Sequence, residues 1–237
     1  MIKAVIFDLD DTLISEREYI ASGYKYISNL LGQKYNKDEK HLYQLLMKLF
    51  NESPKNVFNR LLDEVGITYT QNEIIALVKE YRNHLPKIEF FGDVYPCLDV
   101  LKEKGIKTGI ITDGYANAQR QKLKAVDANG HFEEIIVTDE LGREFWKPHP
   151  KAFEIMKEKF KVEFNEMVYV GDNPGKDFYI GSIYPINTVR IDRGGVYKNS
   201  IYLKNIHENR SVHGLNEILL FLKEEAHGVI LKNPLFS

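Results

Sequence analysis

Short apolar runs and longer polar stretches alternate along much of this chain, and their periods divide it into two kinds of structure. Residues 4–7 (AVIF) are a continuous apolar run of the length of one buried strand. From about residue 97 the alternation becomes regular. The pattern predicts a helix over roughly 97–104 that stops at Gly105, a strand from Ile106 to Ile111, a helix over roughly 115–126 and a strand from Ile135 to Thr138. It continues with a helix over roughly 150–160, a strand from Met167 to Val170, a helix starting near 176 and a last strand from Asn187 to Ile191. Short apolar strands alternating with helices predict an α/β fold, a mostly parallel sheet covered on both faces. A short edge segment around Ile201 to Leu203 and an amphipathic helix over roughly 214–225 follow, and the tail beyond Gly228 carries no pattern.

Residues 16–91 have a different period. Tyr19, Ile20, Tyr24, Ile27 and Leu31 recur at helical spacing, as do Leu42, Leu45, Leu46 and Leu49. Ser53-Pro54 predicts the cap and first turn of a third helix holding Val57, Phe58, Leu61 and Leu62, and Ile74, Ile75, Leu77 and Val78 mark a fourth. No comparable strand interrupts them. We therefore expect a core built from residues 1–15 and 92–237 and a helical cap domain, 16–91, inserted into the first crossover with hinges near 14–16 and 86–92.

Composition narrows the class. The 237 residues carry 32 Lys and Arg against 34 Asp and Glu, a formal charge of -2, so there is no bulk attraction to nucleic acid or to an anionic membrane. An anionic substrate must be held locally. Cys97 is the single cysteine, which excludes an intrachain disulfide, and it is expected to be a small, semi-buried residue. The start of the chain shows no basic leader or cleavage signal and no stretch is apolar enough to span a bilayer, so the expectation is a cytoplasmic protein.

The chemistry gathers at strand ends. In VIFDLDDTL, residues 5–13, a strand runs straight into Asp8, Asp10 and Asp11 with no basic neighbour, an excess of carboxylates suited to a hard cation. The strand ending at Ile111 runs into Thr112-Asp113-Gly114 and then a helix, whose first N–H groups with the Thr112 hydroxyl suit a phosphate. GDNPGKD, 171–177, adds Asp172 and Asp177, and Lys147 before Pro148 supplies a cation. In a parallel sheet these ends share one edge, so residues far apart in sequence can meet there.

Four such motifs in this order closely resemble the haloacid dehalogenase superfamily, with Asp8-Leu9-Asp10-Asp11-Thr12, Thr112, Lys147, and Gly171-Asp172 with Asp177 as its four motifs. The resemblance implies a three-layer, Rossmann-like sheet with the first strand central, and a type 1 helical cap. It implies a magnesium-dependent phosphatase for a small phosphorylated metabolite: a sugar phosphate, sugar-acid phosphate or nucleoside monophosphate. Asp8 would be the nucleophile that becomes an aspartyl phosphate, and Asp10 the acid and base. Mg2+ would sit on Asp8, Asp172 and the Asp10 carbonyl, with Asp177 behind them steadying waters or Lys147. Thr112, Asp113, Gly114 and Lys147 would hold the phosphate, Thr112 and Lys147 without being needed for folding, and Thr12 would fix the turn. The presence of Asp10 argues against a carbon-halogen hydrolase, because halide leaves without a proton. A phosphomutase of the same superfamily is the alternative, ahead of a catalytically inactive metabolite-binding protein; whether the chain forms a homodimer is left open.

Other residues read as bland. Tyr19, Tyr24 and Tyr26 read as packing or surface groups, Trp146 as an anchor for the Lys147 loop, and Gln119 and Lys122 fit an exposed helix face as well as a site. No histidine is spaced for zinc.

Overall fold

A computed structural model of the chain describes residues 1–195, 197 and 199–226. The end of the expected core, residues 227–237 including the patternless tail, lies outside the described residues. Among the described residues six strands run parallel in one sheet, β1 (Ala4–Phe7), β2 (Lys107–Thr112), β3 (Glu134–Val137), β4 (Met167–Gly171), β5 (Asn187–Ile191) and β6 (Arg210–Val212), in the order β3-β2-β1-β4-β5-β6. The helices are α1 (Glu16–Tyr35), α2 (Glu39–Glu52), α3 (Val57–Glu64), α4 (Gln71–Asn83), α5 (Val94–Glu103), α6 (Ala116–Ala125), α7 (Ala128–His131), α8 (Lys151–Phe160) and α9 (Leu215–Ala226).

β1 shows why its sequence is apolar without alternation. Val5 and Phe7 face a cluster formed with Val94 and Leu101 of α5, Leu123 of α6 and Ile218 of α9. Ala4 and Ile6 face the other layer, with Phe153 and Met156 of α8. Both sides of the strand are dry, so both must be apolar. This is the three-layer, Rossmann-like α/β core expected from the sequence, with β1 between β2 and β4.

Helices α1 to α4 bury a separate cluster that includes Tyr24, Ile27, Leu42, Leu46 and Leu61. The Ser15 side chain accepts from the Glu18 N–H at the start of α1, and Thr70 and Glu73 form a reciprocal capping box on α4. The chain enters and leaves this helical group side by side, with Ile14 bridged to Phe90 and the Phe91 N–H donating to the Leu13 carbonyl at 2.9 Å.

Several expected boundaries move. Ser53 closes α2 rather than capping α3, which starts at Val57 behind Asn56 in the left-handed conformation. The helix expected near 176 is only a 3-10 turn, Tyr179–Ser182, because Pro174, Gly175, Gly181 and Pro185 leave no room for a longer one. β5 is not the last strand. β6 forms the edge, while the edge segment expected at Ile201 to Leu203 gives way to a 3-10 turn, Leu203–Asn205. Cys97 is fully buried, and burial, with Asp93 nearby, pushes its thiol up to about 12. Among the described residues no helix is long and apolar enough to cross a membrane.

Candidate active site

The register of the sheet brings the expected residues to one edge. Phe7 lies level with Ile110 of β2 and Val170 of β4, so Asp8, Thr112 and Asp172 leave the sheet at neighbouring carboxyl ends. The turn after β1 is closed by backbone bonds, Asp11 N–H to the Ile14 carbonyl at 2.8 Å and Leu13 N–H to the Leu9 carbonyl at 2.9 Å. The Thr12 hydroxyl, expected to fix this turn, is buried without a partner among the described residues. Asp11, with φ of 51°, accepts the Glu16 N–H at 3.0 Å, which helps to start α1. The run of three aspartates thus divides: Asp11 supports the start of α1, while Asp8 and Asp10 pair with lysines from other elements.

Lys147 is fully buried and donates to Asp8 Oδ1 at 2.8 Å, Asp177 Oδ1 at 2.9 Å and the Tyr169 hydroxyl at 2.6 Å. Burial pushes the Asp8 carboxyl up, but Lys147 and then Lys176 outweigh it and hold Asp8 below its ordinary range. Burial also works against the Lys147 charge, and Asp177 and Asp8 overcome it, so Lys147 stays a cation. Asp177 accepts from Asn173 N–H at 2.9 Å as well, so both its oxygens are already occupied. It fits so closely because β4 ends in Gly171: a Cβ there would lie 2.5 Å from Asp177 Oδ2.

Asp8, Asp172 and Asp177 each offer a carboxylate oxygen within 4.8 Å of the others, all buried. Asp172 has no hydrogen-bond donor among the described residues, and burial, followed by Asp177 and Asp8, pushes it up to about 9. Three hard oxygen donors around one spot, one of them without an ion-pair contact among the described residues, fit a hard divalent cation.

Asp10 is held by different partners. Its two oxygens accept from Lys122 Nζ at 2.7 and 2.8 Å, and Oδ2 also accepts from Gln119 Nε2 at 3.0 Å. Gln119 donates to Thr112 Oγ1 too, which leaves the threonine O–H as a donor toward the site. Gln119 and Lys122 are buried, not on an exposed face. They sit one turn apart on the inner side of α6, and the sequence signal for them was the Gln-x-x-Lys spacing.

The phosphate loop differs from the expectation in two ways. The Asp113 carboxylate accepts from Thr138 Oγ1 at 2.7 Å and from Lys147 N–H at 3.0 Å and lies 3.3 Å from Lys176 Nζ. It braces the loop that carries Lys147, which leaves only its backbone N–H for an anion. At α6, the Ala116 N–H already donates to Asp139 Oδ2 at 2.9 Å, so the helix start is partly occupied. Trp146 does anchor this loop, through Nε1 to Asp139 Oδ1 at 3.2 Å and edge contact with Tyr115. Lys176, a second cation beside Asp8, was not singled out because it lies within an acidic loop of ordinary composition.

A cavity of about 400 Å³ lies between this edge and helices α1 to α4. Asp10, Gln119 and Lys122 form its core side, and Tyr24, Phe50, Phe58, Tyr81 and Arg82 its helical side. Tyr19 and Tyr24 line it and are buried, while Tyr26 remains partly exposed. Lys122 Nζ lies 4.2 Å from the Tyr19 ring centre, and the Tyr19 hydroxyl is buried without a partner among the described residues. Glu16 also lines the cavity, pushed up to about 7 by burial and by Asp10.

The family model described as haloacid dehalogenase-like hydrolase matches residues 5–191. A glyceraldehyde 3-phosphate phosphatase from Methanopyrus kandleri is 32% identical over 201 residues, 82% of this chain and 85% of that protein. Pyrophosphatase PpaX from Bacillus pumilus is 27% identical over 175 residues, 73% of this chain and 75% of its own. Among solved structures, a HAD phosphatase from Thermococcus onnurineus superposes with a TM-score of 0.59 at 26% identity, covering 93% of this chain and 98% of that one.

Proposed function

The chain belongs to the haloacid dehalogenase-like hydrolase family, and from that premise we propose that it is a Mg2+-dependent phosphatase that hydrolyses a small phosphorylated metabolite through an aspartyl phosphate on Asp8. The observation that carries the reading is that Asp8 and Asp10, two positions apart, are held by different cations: Lys147 by its buried bond to Asp8, Lys122 by its bonds to Asp10. Two carboxylates in two environments can take two roles. Asp8, kept ionised, attacks phosphorus. Asp10 protonates the leaving oxygen and later takes a proton from water as that water attacks the phosphoryl group on Asp8. The Thr112 hydroxyl and the backbone N–H groups of Asp113 and Gly114 hold the phosphoryl oxygens, and the buried Lys147 ammonium offsets their charge from beside Asp8. Asp8, Asp172 and the Asp10 carbonyl would hold Mg2+, with Asp177 positioning Lys147 and the Asn173 loop around them. The ion would supply charge neutralisation and alignment of the phosphoryl group.

Residues 16–91 act as a lid in this reading, the cavity beneath them suiting a compact leaving group rather than a folded macromolecule. The relatives support a small phosphorylated substrate: their names specify glyceraldehyde 3-phosphate and pyrophosphate. Phosphate release from a panel of phosphorylated metabolites, measured with Mg2+ and with EDTA, tests the function. Strong release with Mg2+ and background release with EDTA is expected; equal rates would refute metal dependence, and isomerisation without free phosphate would establish a mutase.

Mg2+ binding should also release protons. Without the ion the Asp172 carboxyl, pushed up to about 9, holds its proton at neutral pH, and a ligand carboxylate must lose it. Apparent Mg2+ affinity should therefore rise as pH increases toward 9 and fall on acidification. Calorimetry in buffers of different ionisation enthalpy reads the proton directly, and a buffer-independent enthalpy would contradict it.

A further inference from the structure

The charges on the core side of the cavity are already matched. Lys122 is committed to Asp10, and Asp113 to Lys176 and the Lys147 loop. Arg82, on the opposite side in α4, is not. Its guanidinium carbon lies 3.4 Å from the centre of the Tyr115 ring, which belongs to the core, and among the described residues no carboxylate pairs with it. Stacking on a ring fixes the guanidinium plane but uses none of its five N–H donors, which point outward in that plane. Arg143 lies over the same ring at 4.8 Å and adds positive potential. The wall beside Arg82 is aromatic, Tyr24, Phe50 and Phe58, which offers little to a polyol and lowers the dielectric around an ion pair.

We infer that Arg82 is a carboxylate-binding residue, and that the substrate is a small phosphomonoester carrying a carboxylate at the end remote from its phosphoryl group. The inference rests on the phosphatase reading and narrows it to phosphorylated acids. A planar fork with a single charge matches a carboxylate in shape and in charge, whereas a second phosphoryl group would bring nearly two negative charges into a cavity that already holds Asp10 and Glu16.

The test compares kcat/KM for 3-phospho-D-glycerate and sn-glycerol 1-phosphate, which share the configuration at the middle carbon and differ only in a carboxylate against a hydroxymethyl group, in the parent and in Arg82→Gln and Arg82→Lys. 1,3-Propanediol bisphosphate is a third substrate and p-nitrophenyl phosphate the control for the phosphatase reaction itself. The parent should favour the acid over its neutral twin by about tenfold or more, the scale of one charge-assisted pair. Arg82→Gln should collapse that ratio mainly through KM, and Arg82→Lys should retain part of it. An unchanged ratio in Arg82→Gln, no preference in the parent, or a preference for the bisphosphate would overturn the inference. Turnover of p-nitrophenyl phosphate without any acid preference sinks only the role of Arg82; no phosphate release from any of the four compounds refutes the phosphatase reading and this inference with it.

Discussion

Asp8→Asn is expected to abolish turnover, lowering kcat by on the order of 10^4-fold or more, as removal of a covalent nucleophile does in other enzymes. The amide keeps the shape of the side chain and a carbonyl oxygen for Lys147, which retains Asp177 and Tyr169 as partners. Lys147 holds the Asp8 carboxyl below its ordinary range, so the ionised group stabilises the fold at neutral pH and the amide gives up that contribution. The thermal midpoint should therefore fall by a few degrees while the protein stays folded. Phosphate release and a thermal melt on the same preparation check this pair of outcomes. A variant retaining more than about one hundredth of the parent rate would place the nucleophile elsewhere.

Lys147→Ala has the second large effect, and here the structure corrects the expectation that this lysine is dispensable for folding. Its ammonium is fully buried between Asp8 and Asp177, so its loss leaves buried carboxylates without their counter-charge. Breaking a buried pair in this way costs about 3–5 kcal/mol of stability. In the proposed reaction the cation that keeps Asp8 ionised and offsets the phosphoryl charge is lost as well, which on the scale of one preorganised electrostatic contact adds about 2.7–4 kcal/mol to the barrier, so kcat should fall at least about 100-fold. The sign of the pH dependence separates the two effects. Without Lys147 the carboxyls of Asp8 and Asp177 bind protons more readily in the folded state, so the stability deficit is greatest where they must ionise and shrinks as falling pH protonates them. The difference in midpoint between variant and parent should be larger at pH 8 than at pH 5. A deficit that grows on acidification, or none at either pH, would contradict the structural role.

Much of this site is legible in the sequence because its positions are strand ends. Four apolar runs fixed where the chain leaves the sheet, and parallel topology made Asp8, Thr112 and Asp172 neighbours without any knowledge of contacts. Lys147 was recognisable from its loop, although its depth was not: nothing local distinguishes a lysine that will be sealed between two carboxylates from one in solvent. Gln119 and Lys122 were harder still. Hydrophobic periodicity finds the buried side of a helix by its apolar residues, and α6 turns these two polar residues inward, where Asp10 and Thr112 satisfy them. The role of the Asp113 carboxylate was not legible for a related reason, since its donors, the Thr138 hydroxyl and the Lys147 N–H, come from a loop some 25 to 34 positions away. At the far edge of the sheet, β6 is three residues, Arg-Ser-Val, too short and mixed to declare itself. The helix expected near 176 failed on breakers that were visible, Pro174, Gly175 and Pro185, but outweighed by the regular alternation before them.

The account stands on a phosphoryl group passing through Asp8. The direct measurement is mass analysis of peptides from an acid-quenched reaction, with the parent and with Asp10→Asn, in which loss of the base that activates water should let the intermediate accumulate. The predicted result is the mass of one phosphoryl group on the peptide containing Asp8, at higher occupancy in Asp10→Asn, and none in Asp8→Asn. Phosphoryl transfer to a different residue, or steady turnover with no phosphorylated peptide in either protein, would contradict it.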